Sequence, residues 1–346
     1  MTNNQENTKN IIFLGAGSSS AEGAPSQKGI FKKYSNSQNN KEEINDFFED
    51  FFGIRIDDEQ LDNEYPTFEE VLGMIDLALR RKESFSEYEI TPKKPKLQKI
   101  RESLIFLIAE VLRNSLRDIN GYHKKLVEKL KEKNDLKNTT FISLNYDIII
   151  DNALIREYPE HHLNYKIDFR NFEEEPGWEK PKSDKSVNLL KLHGSLNWLY
   201  CPTCISLKLT PKRKEAAKLA REPSNCPECN CDIVPIIIPP TFFKVMSNYY
   251  LQRIWHEAEK ELKEADRIVF AGYSLPKADI HIKYLMKRIE INSKKNPDIY
   301  VVNNYEEKKE DKKEKEKRKY HRFFKNKINY TDKSFENLAK SGLEGI

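Results

Sequence analysis

Two cysteine pairs, Cys201-Pro202-Thr203-Cys204 and Cys226-Pro227-Glu228-Cys229, constrain this chain more than any other feature. Four thiolates in two C-x-x-C pairs can hold one tetrahedral zinc and so pin a loop segment that has no core of its own. The spacer, Ile205 to Asn225, runs just past the usual zinc-ribbon range. A proline after the first cysteine of each pair favours the tight turn that brings both sulfurs to one ion. The pattern predicts a structural zinc module over residues 199–233. Two other readings fit the same residues: ordinary reduced thiols, or a site in which Cys231 replaces one of the four. Just ahead of the module stands Lys191-Leu192-His193-Gly194-Ser195, which puts a histidine a few residues from a fixed point. Proton transfer needs position before it needs a tuned pKa.

At 346 residues the chain is long enough for two domains, or for one large domain carrying insertions. The net charge of +4 comes from mixed signs with no basic stripe interleaved with aromatics, so direct nucleic-acid binding is not expected. The five cysteines are odd in number and four keep metal spacing, which reads as reduced thiols in a cytosol. Met1 to Asn10 is polar, without an apolar signal region, and no run approaches membrane-spanning length. A soluble, cytoplasmic protein is the expectation.

Ile11-Ile12-Phe13-Leu14 is continuously apolar, as in a strand buried on both faces, and runs straight into Gly15-Ala16-Gly17-Ser18. Glycines there suit either a turn over a phosphate or a plain tight turn; the dinucleotide fingerprint would want a third glycine where Ser20 stands. From about Ile30 to Leu130 the periodicity is helical: Phe68, Val71, Leu72 and Ile75 share one face, as do Leu104, Leu107, Ile108, Val111 and Leu112. Residues 30–135 read as a helical insertion, with Lys82 to Lys99 as a charged loop. Strand-like runs then return at Thr140–Ser143, Val187–Leu192, Val234–Ile238, Arg267–Ala271 and Ile299–Val302. Polar or glycine residues follow nearly every one: Asn145-Tyr146-Asp147, His193, Gly272-Tyr273-Ser274 and Asn303. The ligand crevice of an open α/β sheet lies at the carboxyl ends of its strands. Five such junctions point to one site. Glu306 to Lys319 is charged at every position and reads as a solvated loop or helix extension.

Taken in order, these junctions resemble the sirtuin family over roughly residues 10–30 and 139–305. Gly15-Ala16-Gly17-Ser18 is similar to the family's first cofactor loop, and Ser143-Leu144-Asn145-Tyr146-Asp147 to its T-x-N-x-D motif. Leu192-His193-Gly194 is similar to its catalytic histidine motif, with the zinc module next in order. Gly272-Tyr273-Ser274-Leu275 resembles the later G-T-S-L loop, and Asn303 falls where the family has a strand-end asparagine near the adenosine. The resemblance implies a single α/β domain over 1–346: a Rossmann-like parallel sheet with the helical insertion and a small zinc-ribbon module inside it. It implies Asn145 and His193 as catalytic residues, and Gly15, Ala16, Gly17, Ser18, Pro25, Asn145, Asp147, Gly272, Ser274 and Asn303 as NAD⁺-binding. Cys201, Cys204, Cys226 and Cys229 become ligands of structural Zn²⁺.

Chemistry gives each polar residue a task. Asn145 offers donor and acceptor to a ribose hydroxyl or a water, and His193 can take a proton near neutral pH. Asp147 can accept from a carboxamide, and the N–H groups of Gly15–Ser18 can receive a diphosphate. The plainer reading of Asn145 and Asp147 is as caps of a helix beginning near Ile148. No role is assigned to His123, His161, His162, His256, His281 or His321. Two departures from the family pattern bear on the reaction. Protein-deacylating members carry a G-I-P-D-F-R type segment where this chain has Gly23-Ala24-Pro25-Ser26-Gln27-Lys28. They carry a V-x-F-G-E type strand end where it has Pro239-Pro240-Thr241, and two prolines remove two donors from an edge that would pair with a peptide. The pattern is similar to bacterial sirtuin-like NAD⁺ hydrolases of anti-phage defence, which yield ADP-ribose and nicotinamide. That similarity implies a homo-oligomer or a DNA-translocating ATPase partner. The other readings are an NAD-dependent protein deacylase and a module that senses NAD or ADP-ribose without turnover.

Overall fold

The computed structural model describes residues 8–26, 29–35, 42–56, 65–93, 95–157, 162–170, 179, 181, 186–209, 225–237, 248–277, 279–304, 307–325 and 327–346. The sheet strands are β1 (Asn10–Leu14), β2 (Thr139–Ser143), β3 (His162–Asn164), β4 (Ser186–Lys191), β8 (Arg267–Ala271), β9 (Asp298–Val302) and β10 (Ile328–Thr331). They lie in the order β10-β9-β8-β1-β2-β4-β3, and each recorded pairing among them is parallel. All five residues of β1 and of β2 are buried, as expected for strands covered on both faces. The chain fills β2, β3 and β4 on one side of β1 and later β8, β9 and β10 on the other. The winding therefore reverses between β1 and β8, the position where such sheets open a crevice.

Between β1 and β2 run α1 (Ala16–Ser20), α2 (Ile30–Ser35), α3 (Glu42–Phe52), α4 (Phe68–Arg81), α5 (Lys96–Ser115) and α6 (Tyr122–Glu132). Helix α4 starts in a capping box: Thr67 Oγ1 accepts from Glu70 N at 3.2 Å, and the Glu70 carboxylate accepts from Thr67 N at 2.7 Å. The residues with helical spacing, Phe68, Val71, Leu72, Ile75, Leu104, Leu107, Ile108 and Val111, are buried in one cluster built mainly from α2–α5. Tyr146 and Leu196 reach into that cluster. Helix α6 packs into the other core, which is the sheet's own.

After the sheet's β4 come β5 (Gly194–Cys201), β6 (Ser206–Leu209) and β7 (Val234–Ile237), forming a separate antiparallel sheet in the order β6-β5-β7. Residues 234–237 of the apolar run 234–238 thus belong to this small sheet, not to the parallel one that the other runs build. The remaining helices are α7 (Ile149–Glu157), α8 (Tyr249–Glu264), α9 (Ile280–Asn292), α10 (Glu310–Phe323) and α11 (Phe335–Ser341). The fully charged run folds largely as α10, and it is not wholly solvated, because Glu316 is buried, as is Tyr320 just beyond the run. Its inward positions, four residues apart, lie on one face. Among the described residues no helix is long and apolar enough to cross a membrane.

Candidate active site

The five polar junctions leave β9, β8, β1, β2 and β4, which are consecutive neighbours in the sheet. Their strands are parallel, so all five ends open on one edge. The loop after β2 is stapled to the segment after β4 by successive bonds. Leu192 N donates to Ser143 O at 3.0 Å, His193 Nδ1 to Leu144 O at 3.1 Å, and Leu196 N to Tyr146 O at 3.0 Å. The bond to the Leu144 carbonyl requires a proton on Nδ1 and so leaves Nε2 as the basic nitrogen of buried His193. Trp255 Nε1 donates to Leu192 O at 2.9 Å and holds the turn from behind.

Asn145 and Asp147 meet the first junction through a residue that sequence reasoning missed. Ser19 Oγ donates to Asp147 Oδ2 at 2.7 Å and accepts from Asn145 Nδ2 at 2.8 Å. Asn145 Nδ2 also donates to Gly15 O at 3.0 Å and Ser18 Oγ at 3.2 Å, which commits its amide nitrogen to this loop and turns Oδ1 away as acceptor. Asp147 Oδ1 accepts from Ile149 N at 3.1 Å. The helix-capping reading is therefore realised for Asp147 alongside its contact with Ser19. The signal for Ser19 was present as a run of three serines, but nothing in a serine run says which one faces inward.

Gly15 to Ser18 do not form an open loop. Residues 16–20 make a helical turn, and three N–H groups are spent within the protein: Gly15 N on Ala271 O (3.0 Å), Gly17 N on Gly272 O (2.8 Å) and Ser18 N on Gly15 O (3.0 Å). The exposed Ala16 N–H takes no part in these bonds. The expected diphosphate cradle of four N–H groups is thus reduced by contact with the β8 loop. The glycines serve that contact. A Cβ on Gly15 would stand 2.6 Å from Gly272 O, and one on Gly272 (φ +67°) would stand 2.3 Å from Ser18 N. Ser274 is exposed beyond this junction, and Pro25 is partly buried after α1.

At the far end Asn303 is buried. Its Nδ2 donates to Tyr273 O and to Glu316 Oε1, whereas its Oδ1 has no partner among the described residues. An orphaned buried acceptor at a strand end fits a hydroxyl or amine donor of a bound nucleotide. Glu316, also bound by Lys308 Nζ at 2.8 Å, brings α10 to this edge. Near the first junction, Glu22 accepts from His123 N (2.8 Å), the His123 ring (2.9 Å) and Gly121 N (2.7 Å). Burial alone would raise the Glu22 carboxyl, but these bonds hold it below its ordinary value. His123, given no role by sequence, has this structural one. His281 stacks edge-on with Trp255 at 6.4 Å.

The sulfurs of Cys201, Cys204, Cys226 and Cys229 all lie within 4.8 Å of one another; Cys231 is not among them and gives its carbonyl to Cys226 N. Cys201 and Cys229 are 3.5 Å apart, and Cys204 and Cys226 3.9 Å. Tetrahedral zinc with bonds of about 2.3 Å requires sulfurs roughly 3.8 Å apart, so the set fits. Both pairs turn in the same way: Ile205 (φ +50°) and Asn230 (φ +59°), each next after a second cysteine, are left-handed. Gln27, Lys28 and Ile238 to Thr241 lie outside the described residues.

A SIR2-like domain model matches residues 139–324, more than half of the chain. The chain belongs to the SIR2-like family. Among solved structures it is similar to a Sir2 with a p53 peptide and NAD⁺, at 15% identity over 96% of this chain and 90% of that one, TM-score 0.45. It is also similar to a Sir2 bound to a myristoylated histone peptide, at 14% identity over 96% and 88%, TM-score 0.42. No curated protein matches it. The match begins at β2 and takes in Asn145, Asp147, His193, the four cysteines, Gly272 and Asn303.

Proposed function

We propose that this SIR2-like chain is an NAD⁺ glycohydrolase that converts NAD⁺ and water to ADP-ribose, nicotinamide and a proton. The observation that carries the reading is the convergence of Asn145, Asp147 and His193 on one edge, each fixed by named bonds. Breaking the nicotinamide–ribose bond develops oxocarbenium character at C1′, so the enzyme's work is positioning and electrostatics more than covalent chemistry. Asn145 Oδ1 accepts from the attacking water or a ribose hydroxyl, and His193 Nε2 takes up a hydroxyl proton. Asp147 attends the leaving carboxamide, while Asn303 Oδ1 accepts from the adenosine half. Gly15, Ala16, Gly17, Ser18, Pro25, Gly272 and Ser274 line the path between them.

Water is the nucleophile in this reading because the sequence lacks the residues that would hold a peptide. Pro239 and Pro240 have no N–H to donate in any conformation, and the Asp-Phe-Arg of deacylases is replaced by Ser26-Gln27-Lys28. The chain acts as one catalytic domain, with the helical insertion at 30–135 and a zinc-bearing module at 199–233. Such an activity, depleting host NAD⁺, suits anti-phage defence, with assembly into a homo-oligomer or pairing with a DNA-translocating ATPase as its control.

The test is incubation with NAD⁺ alone, reading free nicotinamide by chromatography. Asn145→Ala and His193→Ala should each lower turnover by about 10²–10⁴-fold with the fold intact. A variant that keeps more than about a tenth of the activity refutes its assigned role. Nicotinamide released only with an acyl-lysine peptide, the acyl group recovered on ADP-ribose, would replace the hydrolase with a deacylase.

A further inference from the structure

We propose that Lys191 is a positioning residue: its ammonium clamps the Asn145–Asp147 loop to the strand that delivers His193. Lys191 ends β4, which lies between β2 and the edge strand β3, and its side chain is 0% exposed. Its Nζ donates to the Asp147 carbonyl and lies 3.0 Å from Asp151 Oδ2. Asp151, 1% exposed on α7, also accepts from the Tyr165 hydroxyl. Burial and the Asp151 carboxylate push the Tyr165 phenol well above its ordinary range, which keeps that proton in place as a donor.

Buried ion pairs cost desolvation and are seldom retained for stability alone. This one has a geometric consequence. The carbonyls of Ser143, Leu144, Tyr146 and Asp147 accept, in turn, from Leu192 N, the His193 ring, Leu196 N and Lys191 Nζ. Of the four ties, that of Lys191 is the one at the Asp147 end, where the loop turns into α7. With Asp147's two carboxylate oxygens on Ser19 and Ile149, its carbonyl is the remaining handle, and Lys191 holds it. A side chain two residues from the histidine thus sets the distance between the histidine and the Asn-x-Asp loop. The inference rests on the reading of Asn145 and His193 as the catalytic pair.

The decisive variant is Lys191→Met combined with Asp151→Asn, which strands no buried charge and keeps an acceptor for Tyr165; Lys191→Met alone strands Asp151 and reports on folding. A structural role would reduce the folded fraction without changing kcat per folded molecule. We expect instead a cooperative melt and bound zinc as in the unmodified chain. The Kd for NAD⁺ should stay within about threefold while kcat falls about 10²-fold, the order of loss for a misplacement of about 1 Å. The Ile149 and Leu196 amides should exchange faster. A folded double variant with kcat within about threefold of the unmodified chain overturns the inference. If the unmodified chain releases no nicotinamide, the hydrolase reading fails on its own. Amide exchange then decides: unchanged protection at Ile149 and Leu196 overturns the clamp, and faster exchange supports it.

Discussion

Substituting Gly272 by alanine separates two costs that usually arrive together. Gly53 and Gly272 both hold left-handed backbone, at φ +65° and +67°. A Cβ on Gly53 meets nothing within 4 Å, whereas one on Gly272 meets Ser18 N at 2.3 Å, Gly17 C at 2.6 Å and Gly17 Cα at 2.8 Å. Gly53→Ala therefore reports the conformational term, about 1 kcal/mol for a non-glycine in this region, partly offset by a stiffer unfolded chain. Gly272→Ala adds overlap with backbone that cannot rotate away, about 1–3 kcal/mol for overpacking. Separating the two loops also strains the Gly17 N to Gly272 O bond of 2.8 Å, worth about 1 kcal/mol. The difference between the variants should be about 2–4 kcal/mol, read from urea unfolding with equal m-values. Activity should follow, because α1 carries Ser18 and Ser19, which hold Asn145: a displacement of about 1 Å there predicts about 10²-fold slower NAD⁺ turnover. If Gly272→Ala unfolds within about 1 kcal/mol of Gly53→Ala, the close contact of the β1 and β8 loops is not the reason for glycine.

Metal analysis should find one zinc per chain, and Cys→Ser at position 201, 204, 226 or 229 should remove it and loosen the β5–β7 sheet; Cys231→Ser should keep it. Glu22 has a folded pKa below its unfolded value of about 4.5, so its contribution is complete above that value and fades as pH falls through the lowered one. Acid unfolding of Glu22→Gln should accordingly show a shallower loss of stability below about pH 4.5 than the unmodified chain. Glu316→Ala should cost about 1–3 kcal/mol by urea unfolding, because it removes the buried carboxylate that Asn303 Nδ2 and Lys308 Nζ share; no change would mean that α10 is not held by this carboxylate.

The strand ends were legible because burial on both faces leaves a continuous apolar run, and the residue that breaks the run marks the edge. Ile11–Leu14, Thr140–Ser143, Arg267–Ala271 and Ile299–Val302 read this way and lie in the sheet. The run at 234–238 reads identically, yet its residues 234–237 pair with β5, since apolarity does not report the partner. β3 has three residues and β10 four, too few to establish a period against their neighbours. β5 carries fully buried Trp198, but His193-Gly194 hid its start. The cluster of four cysteines was legible because C-x-x-C spacing is local chemistry. The commitment of the Gly15 and Gly17 N–H groups was not legible, because their acceptors, Ala271 and Gly272, lie at the end of β8 more than 250 residues away.

Three of the buried charges that were not legible in the sequence, Glu22, Lys191 and Glu316, have one arrangement in common. Glu22 ties the segment after α1 to the start of α6, Lys191 ties the loop after β2 to β4, and Glu316 ties Asn303 after β9 to α10. Each was passed over for a different local reason: one polar residue after a helical turn, one lysine in an apolar run, one glutamate among fourteen charged positions. Lys191 and Glu316 bond directly to junction residues, and Glu22 bonds to His123 and Gly121 beside the first of them. Apolar packing fixes how closely two elements approach but exerts little direction on a carbonyl or an amide, because dispersion is nearly isotropic. A buried charge costs desolvation, yet it orients the dipoles it touches, and orientation is what a site built from strand-end loops must obtain. A lysine that ends a buried strand directly after Leu189 and Leu190, two residues before a candidate catalytic histidine, is therefore itself a sequence signal. It says that a carboxylate and a carbonyl must wait behind the site, as Asp151 and Asp147 do here.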